Sequence, residues 1–183
     1  MKQIPMKFFD RDALVVAKGL LGSVVSFNGC SGMIVETEAY KDDDPSHAAS
    51  KTPRSAIMYD TSGHWYVYFI YGMYHCVNVT TNGNEEPGAV LIRALKPLDG
   101  ISKMEKRRKT SDVHNLCSGP GKLCQALSID KKLNGSPVNK LMKVFEGKRF
   151  RGKDIVVSKR IGIKEDEPLD WRFSLKGNSF VSR

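Results

Sequence analysis

Trp65-Tyr-Val-Tyr-Phe-Ile-Tyr-Gly-Met-Tyr-His-Cys-Val-Asn-Val-Thr-Thr81 is the stretch that decides the fold class. It reads as two strands, Trp65–Ile70 and His75–Thr81, separated only by Tyr71-Gly72-Met73-Tyr74. So short a link makes the strands antiparallel neighbours, because a parallel pair needs a crossover of a dozen or more residues. On the first strand Trp65, Val67 and Phe69 share one face while Tyr66, Tyr68 and Ile70 share the other. A core needs only one of these faces. The second is open to two readings, an aromatic-rich core or a stacking wall for planar ligands. Residues 59–74 hold seven of the sixteen aromatic side chains.

Upstream, Asp10 or Asp12 can cap a helix with Leu14, Ala17 and Leu21 on one face and Gly22 at its end. Strands are expected at Val24–Phe27 and Met33–Tyr40 around the turn Asn28-Gly29, followed by a polar segment from Lys41 to Gly63. Downstream, Ala89–Leu95 reads as a strand, Ile101–Lys109 and Lys122–Leu127 as helices, and Ile155–Val157 and Trp171–Leu175 as further strands. Strands joined by short turns, without regularly alternating helices, give an antiparallel α+β domain rather than a doubly wound sheet. The 183 residues are expected to form one domain, residues 1–183, since that length suffices for one and little more.

Composition excludes several classes. No run approaches the roughly 18 apolar residues of a spanning helix, and the charged start is unlike a signal peptide. Cys30, Cys76, Cys117 and Cys124 lack C-x-x-C spacing and read as reduced thiols of an intracellular protein. With His47, His64, His75 and His114 they form no zinc-ligand pattern, so neither metal nor cofactor is expected. The charge is uneven: residues 1–91 carry 7 basic and 10 acidic groups, residues 92–183 carry 22 and 10, for a net +9. A basic half of that size fits a polyanion such as nucleic acid, or a plain lysine-rich surface.

Several residues could carry chemistry. On Met33–Tyr40, Glu36, Glu38 and Tyr40 share a face, with the carboxylates roughly 6–7 Å apart along the strand. They are either two solvated surface glutamates or, if desolvated, a tuned acid–base pair. Arg93 lies in the apolar run Ala89–Leu95, as a structural ion-pair partner of Glu36 or Glu38 or as a clamp at a reacting centre. Asn78 is either a satisfied core amide or a pocket donor. Ser118-Gly119-Pro120-Gly121-Lys122 is a capped turn or, through Gly121 and Lys122, a contact to a nucleic-acid phosphate. The cluster Lys103, Lys106, Arg107, Arg108 and Lys109 reads as a solvated helix face, a targeting patch or a DNA contact.

Taken in order, these blocks resemble the alkyladenine (3-methyladenine, or methylpurine) DNA glycosylase family of base-excision repair. The matching blocks are Ile34–Tyr40, Ser46-His47-Ala48, Thr52-Pro53-Arg54, Tyr66–Tyr74, Val77-Asn78-Val79, Leu91–Leu95, Gly119-Pro120, Lys122–Leu127, Arg160-Ile-Gly-Ile163 and Arg172-Phe173, nearly the whole chain. The resemblance implies a curved, mainly antiparallel sheet flanked by helices, with a protruding β-hairpin that inserts into DNA. It assigns Glu38 as the general base activating a water held by Arg93 and the backbone carbonyl of Ile161. Tyr40, His47 and Tyr68 match the walls around an extruded base, Asn78 the amide that excludes normal guanine, and Tyr71 the intercalating wedge. Glu36 has no catalytic role by this match.

The implied activity is monofunctional hydrolysis of N-glycosidic bonds of alkylated or deaminated purines, including hypoxanthine and etheno-adenine, leaving an abasic site. The implied partner is double-stranded DNA containing damaged purines, bound by a monomer without a membrane, and the protein is expected to be associated with DNA inside the cell. The acidic-leaning first half supplies most of the matched site, and the basic second half is expected to hold the phosphate backbone. Two rivals are a non-catalytic nucleic-acid-binding module and an RNA-binding or RNA-modifying protein.

Overall fold

The computed structural model describes residues 1–41, 51–53, 55–70, 72–82, 86–162 and 169–182. Helix α1 (Ala13–Leu20) opens on Asp12, whose carboxylate accepts from the Leu14 amide at 2.8 Å. That cap sets the phase of the helix. Its buried residues are Ala13, Val16, Ala17 and Leu20; of the expected Leu14–Ala17–Leu21 line, Ala17 and Leu21 are buried and Leu14 packs partly buried against the core. Strands β1 (Val24–Phe27) and β2 (Cys30–Tyr40) pair through a tight turn in which Asn28 and Gly29 both have positive φ, 49° and 71°. Asn-Gly is the pair that tolerates this geometry, and its twist matches that of the strands.

Helix α2 (Ala56–Asp60) lies inside the segment that reads as featureless polar sequence. At five residues it is too short to show a helical period, and it is tied down by buried Met58. Strands β3 (Trp65–Ile70) and β4 (Tyr74–Thr80) form the expected antiparallel hairpin, and β5 (Ala89–Asp99) follows. β5 runs past Leu95 through Pro97, at an end where β4 no longer lies alongside and a missing amide is tolerated. Helices α3 (Ile101–Arg108) and α4 (Pro120–Leu127) pack against each other, and α4 rests on β4 and β5. Three short strands complete the sheet: β6 (Lys143–Phe145), β7 (Ile155–Ser158) and β8 (Arg172–Leu175).

The strand order is β3-β4-β5-β2-β1-β6, and β8 pairs with both β2 and β7. All of these pairs are antiparallel, in a curled sheet with helices packed on it. The expected α+β class with a mainly antiparallel sheet is therefore what the chain adopts. β2 is the spine: β5 lies along one side, while β1 and then β8 share the other. Its pairing with β5 is irregular between Ile34 and Thr37, the stretch that carries Glu36. One face of the sheet meets α1, where the Thr37 hydroxyl donates to the Ala17 carbonyl at 3.0 Å. The core there includes Val35, Ala39, Val67, Val77, Val79, Val90 and Ile92. Phe69 leaves this pattern; it is 41% exposed near the hairpin tip. No helix among the described residues is long and apolar enough to cross a membrane.

Candidate active site

The opposite face of the sheet builds the site, through a cross-strand row. Glu38 on β2 pairs with Leu91 on β5, Leu91 with Asn78 on β4, and Asn78 with Tyr66 on β3. Residues directly opposite one another across strands point the same way. Tyr66, Asn78 and Leu91 accordingly line one cavity of about 560 Å³, together with Tyr40, Tyr68 and Arg93. Its far wall comes from the start of α4, Ser118 to Lys122, with Arg108.

Glu38 lies wholly buried behind this lining, bonded to the lining residues Tyr40, Arg93 and Ile161. Its Oε2 accepts from Arg93 Nη1 at 3.0 Å and from the Tyr40 hydroxyl at 2.9 Å, and its Oε1 accepts from the Ile161 amide at 2.8 Å. Burial raises the affinity of Glu38 for a proton, and Arg93, the Ile161 amide and Tyr40 offset only part of that. Tyr40 is pushed well above its ordinary value by burial, then by the charge of Glu38 and by Tyr68, so it stays a neutral phenol that donates to Glu38. For Arg93, burial opposes the charge, but Glu38 and Glu36 outweigh it and hold the guanidinium protonated.

The solvated-surface reading of the two glutamates is overturned: Glu36 is as buried as Glu38. Glu36 takes Arg93 Nε at 3.3 Å and Arg172 Nε at 2.6 Å, so the ion-pair reading of Arg93 holds for both acids at once. The tyrosine wall is present as well. The Tyr66 and Tyr68 rings lie 5.3 Å apart at 42°, beside Tyr40. The Asn78 amide nitrogen donates to the Tyr66 carbonyl at 3.2 Å, which fixes the side chain within the cavity lining.

Lys122 and Gly121 both border the cavity. The Lys122 ammonium donates to Asn115 Oδ1 at 2.6 Å and lies 3.4 Å from Ser118 Oγ, bracing the loop before α4. Gly121 lets the Tyr74 ring approach: a Cβ there would lie 3.0 Å from it. His47 and Tyr71 lie outside the described residues, as does the acidic run Asp42–Asp44. His75 packs its ring 5.0 Å from that of Phe69.

Of the basic half, Arg108 and Lys122 line the cavity together with Tyr74 of β4. Arg107 donates to the Ala126 and Asn28 carbonyls, and Arg108 to the Leu116 and Asn115 carbonyls, so both latch α3 onto its neighbours instead of forming a solvated face. Arg93 is spent on buried acids. Carbonyl groups at the ends of neighbouring segments satisfy these arginines, which charge counting along the chain does not reveal.

Sequence reasoning missed Arg160, Arg172 and Ser182. The Arg160 guanidinium lies 4.9 Å from the Tyr40 ring centre and 5.3 Å from that of Trp171, and donates to the Ala39 carbonyl at 3.3 Å. It thereby anchors the residue next to Ile161. Arg160 and Arg172 each fall in a block that resembles the family, but only the fold shows what they touch: the Tyr40 and Trp171 rings for Arg160, and Glu36 for Arg172 once β8 pairs with β2. Among the described residues no cluster of three or more His, Cys, Asp or Glu could hold a metal ion.

The fold and site thus define an α+β protein with a buried acid under an aromatic-walled, partly basic cleft. The sequence matches the family described as "Methylpurine-DNA glycosylase (MPG)" over residues 7–179. It is 45% identical over 98% of its length to a protein of Carboxydothermus hydrogenoformans, covering 98% of that chain. It is 44% identical to one of Agrobacterium fabrum (99% and 93% of the two chains) and 42% identical to one of Prosthecochloris aestuarii (100% and 92%). All three are named as candidate 3-methyladenine DNA glycosylases. The chain belongs to the methylpurine-DNA glycosylase family: it is a DNA glycosylase, a hydrolase of N-glycosyl bonds that acts on DNA.

Proposed function

We propose that the protein excises alkylated purines of the 3-methyladenine type, and deaminated or etheno-bridged purines such as hypoxanthine and etheno-adenine, by base flipping and water attack. The observation that carries this reading is Glu38, a buried carboxylate with raised proton affinity, held from both oxygens by Tyr40, Arg93 and Ile161 of the tyrosine cleft. Chemistry at the glycosidic bond cannot reach a stacked base, so the nucleotide must rotate out of the duplex at a cost of a few kcal/mol. Tyr71, between β3 and β4 in sequence, is the proposed wedge, replacing lost stacking and stabilising the kink.

In this reading Tyr40, His47 and Tyr68 surround the flipped base. A cationic purine such as 3-methyladenine is drawn to electron-rich rings by about 0.5–2 kcal/mol each. Asn78 discriminates against guanine. Arg93 and the carbonyl of Ile161 hold the water, while the Ile161 amide fixes the Glu38 carboxylate that takes its proton. As the bond breaks, charge develops on the sugar in an oxocarbenium-like transition state, and a nearby carboxylate stabilises it. A cationic base departs without further protonation, which makes 3-methyladenine the simplest substrate for this site.

No lysine is assigned a nucleophilic role, so the proposed enzyme acts alone on the N-glycosidic bond, as a monomer, and leaves the backbone intact. Incubation with methylated duplex DNA should release 3-methyladenine and leave alkali-labile sites, with no covalent adduct trapped by borohydride. A trapped adduct, or strand breaks before alkali, would replace this mechanism with a Schiff-base one.

A further inference from the structure

Glu36 is the most heavily bonded acid in the described structure, yet the hydrolysis above gives it nothing to do. Its Oε1 accepts from Arg93 Nε at 3.3 Å, Arg172 Nε at 2.6 Å and Ser182 Oγ at 2.8 Å, and its Oε2 accepts from the Ser182 amide at 2.6 Å. Ser182 belongs to the tail after β8, and it also lines the cleft. Phe180 of the same tail stacks on His114 at 4.4 Å, which pins the tail a second time.

The Arg93 fork is consequently split between two acids, Nε to Glu36 and Nη1 to Glu38. An arginine facing a single carboxylate in a buried site favours a two-pronged pair, which is stronger and more specific than one N–H. Such a pair on Glu38 would occupy both of its oxygens, including the one held by the Ile161 amide, and would make it a poorer base.

We infer that Glu36 is a positioning residue: by holding the Nε edge of Arg93, with Arg172 and Ser182 filling its other acceptor sites, it restricts Arg93 to one hydrogen bond with Glu38 and keeps that carboxylate free to accept a proton. This rests on the reading of Glu38 as the base. It does not require Glu36 to touch substrate or water.

Charge balance sets the sign of the test. The groups facing Glu38 are Arg93 from β5, Tyr40 from its own strand, the Ile161 amide after β7, and Glu36 with its partners Arg172 on β8 and Ser182 in the tail. Tyr68 on β3 and Arg160 act on Glu38 through Tyr40, and Arg108 and Lys122 stand on the far cleft wall. Glu36→Gln removes a nearby negative charge and releases Arg93 toward Glu38, and both effects favour the ionised form of Glu38. Arg172→Gln leaves Glu36 less compensated and disfavours that form. The two changes therefore push in opposite directions.

The experiment is single-turnover release of 3-methyladenine from methylated duplex DNA as a function of pH, at saturating enzyme. This cationic base needs no general acid, so the acid limb reports the base alone. Glu36→Gln should move that limb down by about one pH unit and slow release at neutral pH, with duplex binding retained. Arg172→Gln should move the limb up. Limbs that stay in place, or that move together, would overturn the inference and leave Glu36 a purely structural ion. Should Glu36→Gln fail to fold, Arg172→Gln decides alone, an upward move supporting the inference and a stationary limb overturning it. Failure of the base assignment itself looks different: Glu38→Gln would then release base at the wild-type rate.

Discussion

At the residue scale the site depends on how Glu38 is held. The Tyr40 hydroxyl stabilises the carboxylate form by donating to it, so Tyr40→Phe should raise the proton affinity of Glu38 further. The acid limb of the pH–rate profile should move to higher pH in that variant. A limb that moved down would mean that Tyr40 does not donate to Glu38 in solution. Linkage gives a second expectation. The folded state holds the Glu38 proton more tightly than the unfolded chain, whose glutamate titrates near 4.5. This contribution to stability is fully present below that value and is lost as pH rises through the raised value of Glu38. Thermal melts across this window should therefore show wild type losing more stability than Glu38→Gln; parallel curves would contradict the raised value.

At the scale of elements, the meeting of α4 and the β3–β4 hairpin is set by one missing side chain. A methyl group at Gly121 would lie 3.0–3.2 Å from the Cδ1, Cγ and Cβ atoms of Tyr74, which must give by a few tenths of an ångström. Gly121→Ala is expected to cost about 1–3 kcal/mol, the usual range for overpacking, and to lower excision more than non-specific DNA binding. Denaturant unfolding with an excision assay checks both; unchanged excision at reduced stability would detach this contact from the site. Tyr71→Ala, between the same two strands in sequence, should impair flipping while non-specific affinity survives. A fluorescent base analogue at the lesion reads this directly, and unchanged flipping would remove Tyr71 from the wedge role.

The elements also show what a sequence reveals. Apart from the exposed Phe69, alternation along Met33–Tyr40 and Trp65–Ile70 separates the faces that form core and cleft, because period-two patterning is local. It could not show that Glu36 and Glu38 are both buried, since that depends on β8 covering β2 from some 135 positions away. β6, with three residues, carries too little pattern to be seen, and it forms by pairing with β1. Arg107 and Arg108 read as free charges because their carbonyl partners lie on other segments. The family resemblance supplied the roles that local pattern could not, but it passed over Glu36, whose four hydrogen bonds exist only in three dimensions.

At the scale of the whole molecule, the net +9 fits a DNA substrate, although Arg93, Arg107 and Arg108 are bonded within the protein. Affinity for duplex DNA should fall steeply with salt, in proportion to the phosphates contacted. Lys122→Gln should flatten the log–log slope by about 1 if this lysine leaves Asn115 for a phosphate. An unchanged slope would leave it a brace for the start of α4.

The central claim is that Glu38 is the base of a base-flipping hydrolysis. It is tested most directly by single-turnover release of 3-methyladenine from a methylated duplex, measured beside equilibrium binding, for wild type and Glu38→Gln. Release is expected to fall by a factor on the order of 10² to 10⁴ while lesion binding persists. Release at the wild-type rate in Glu38→Gln would contradict it.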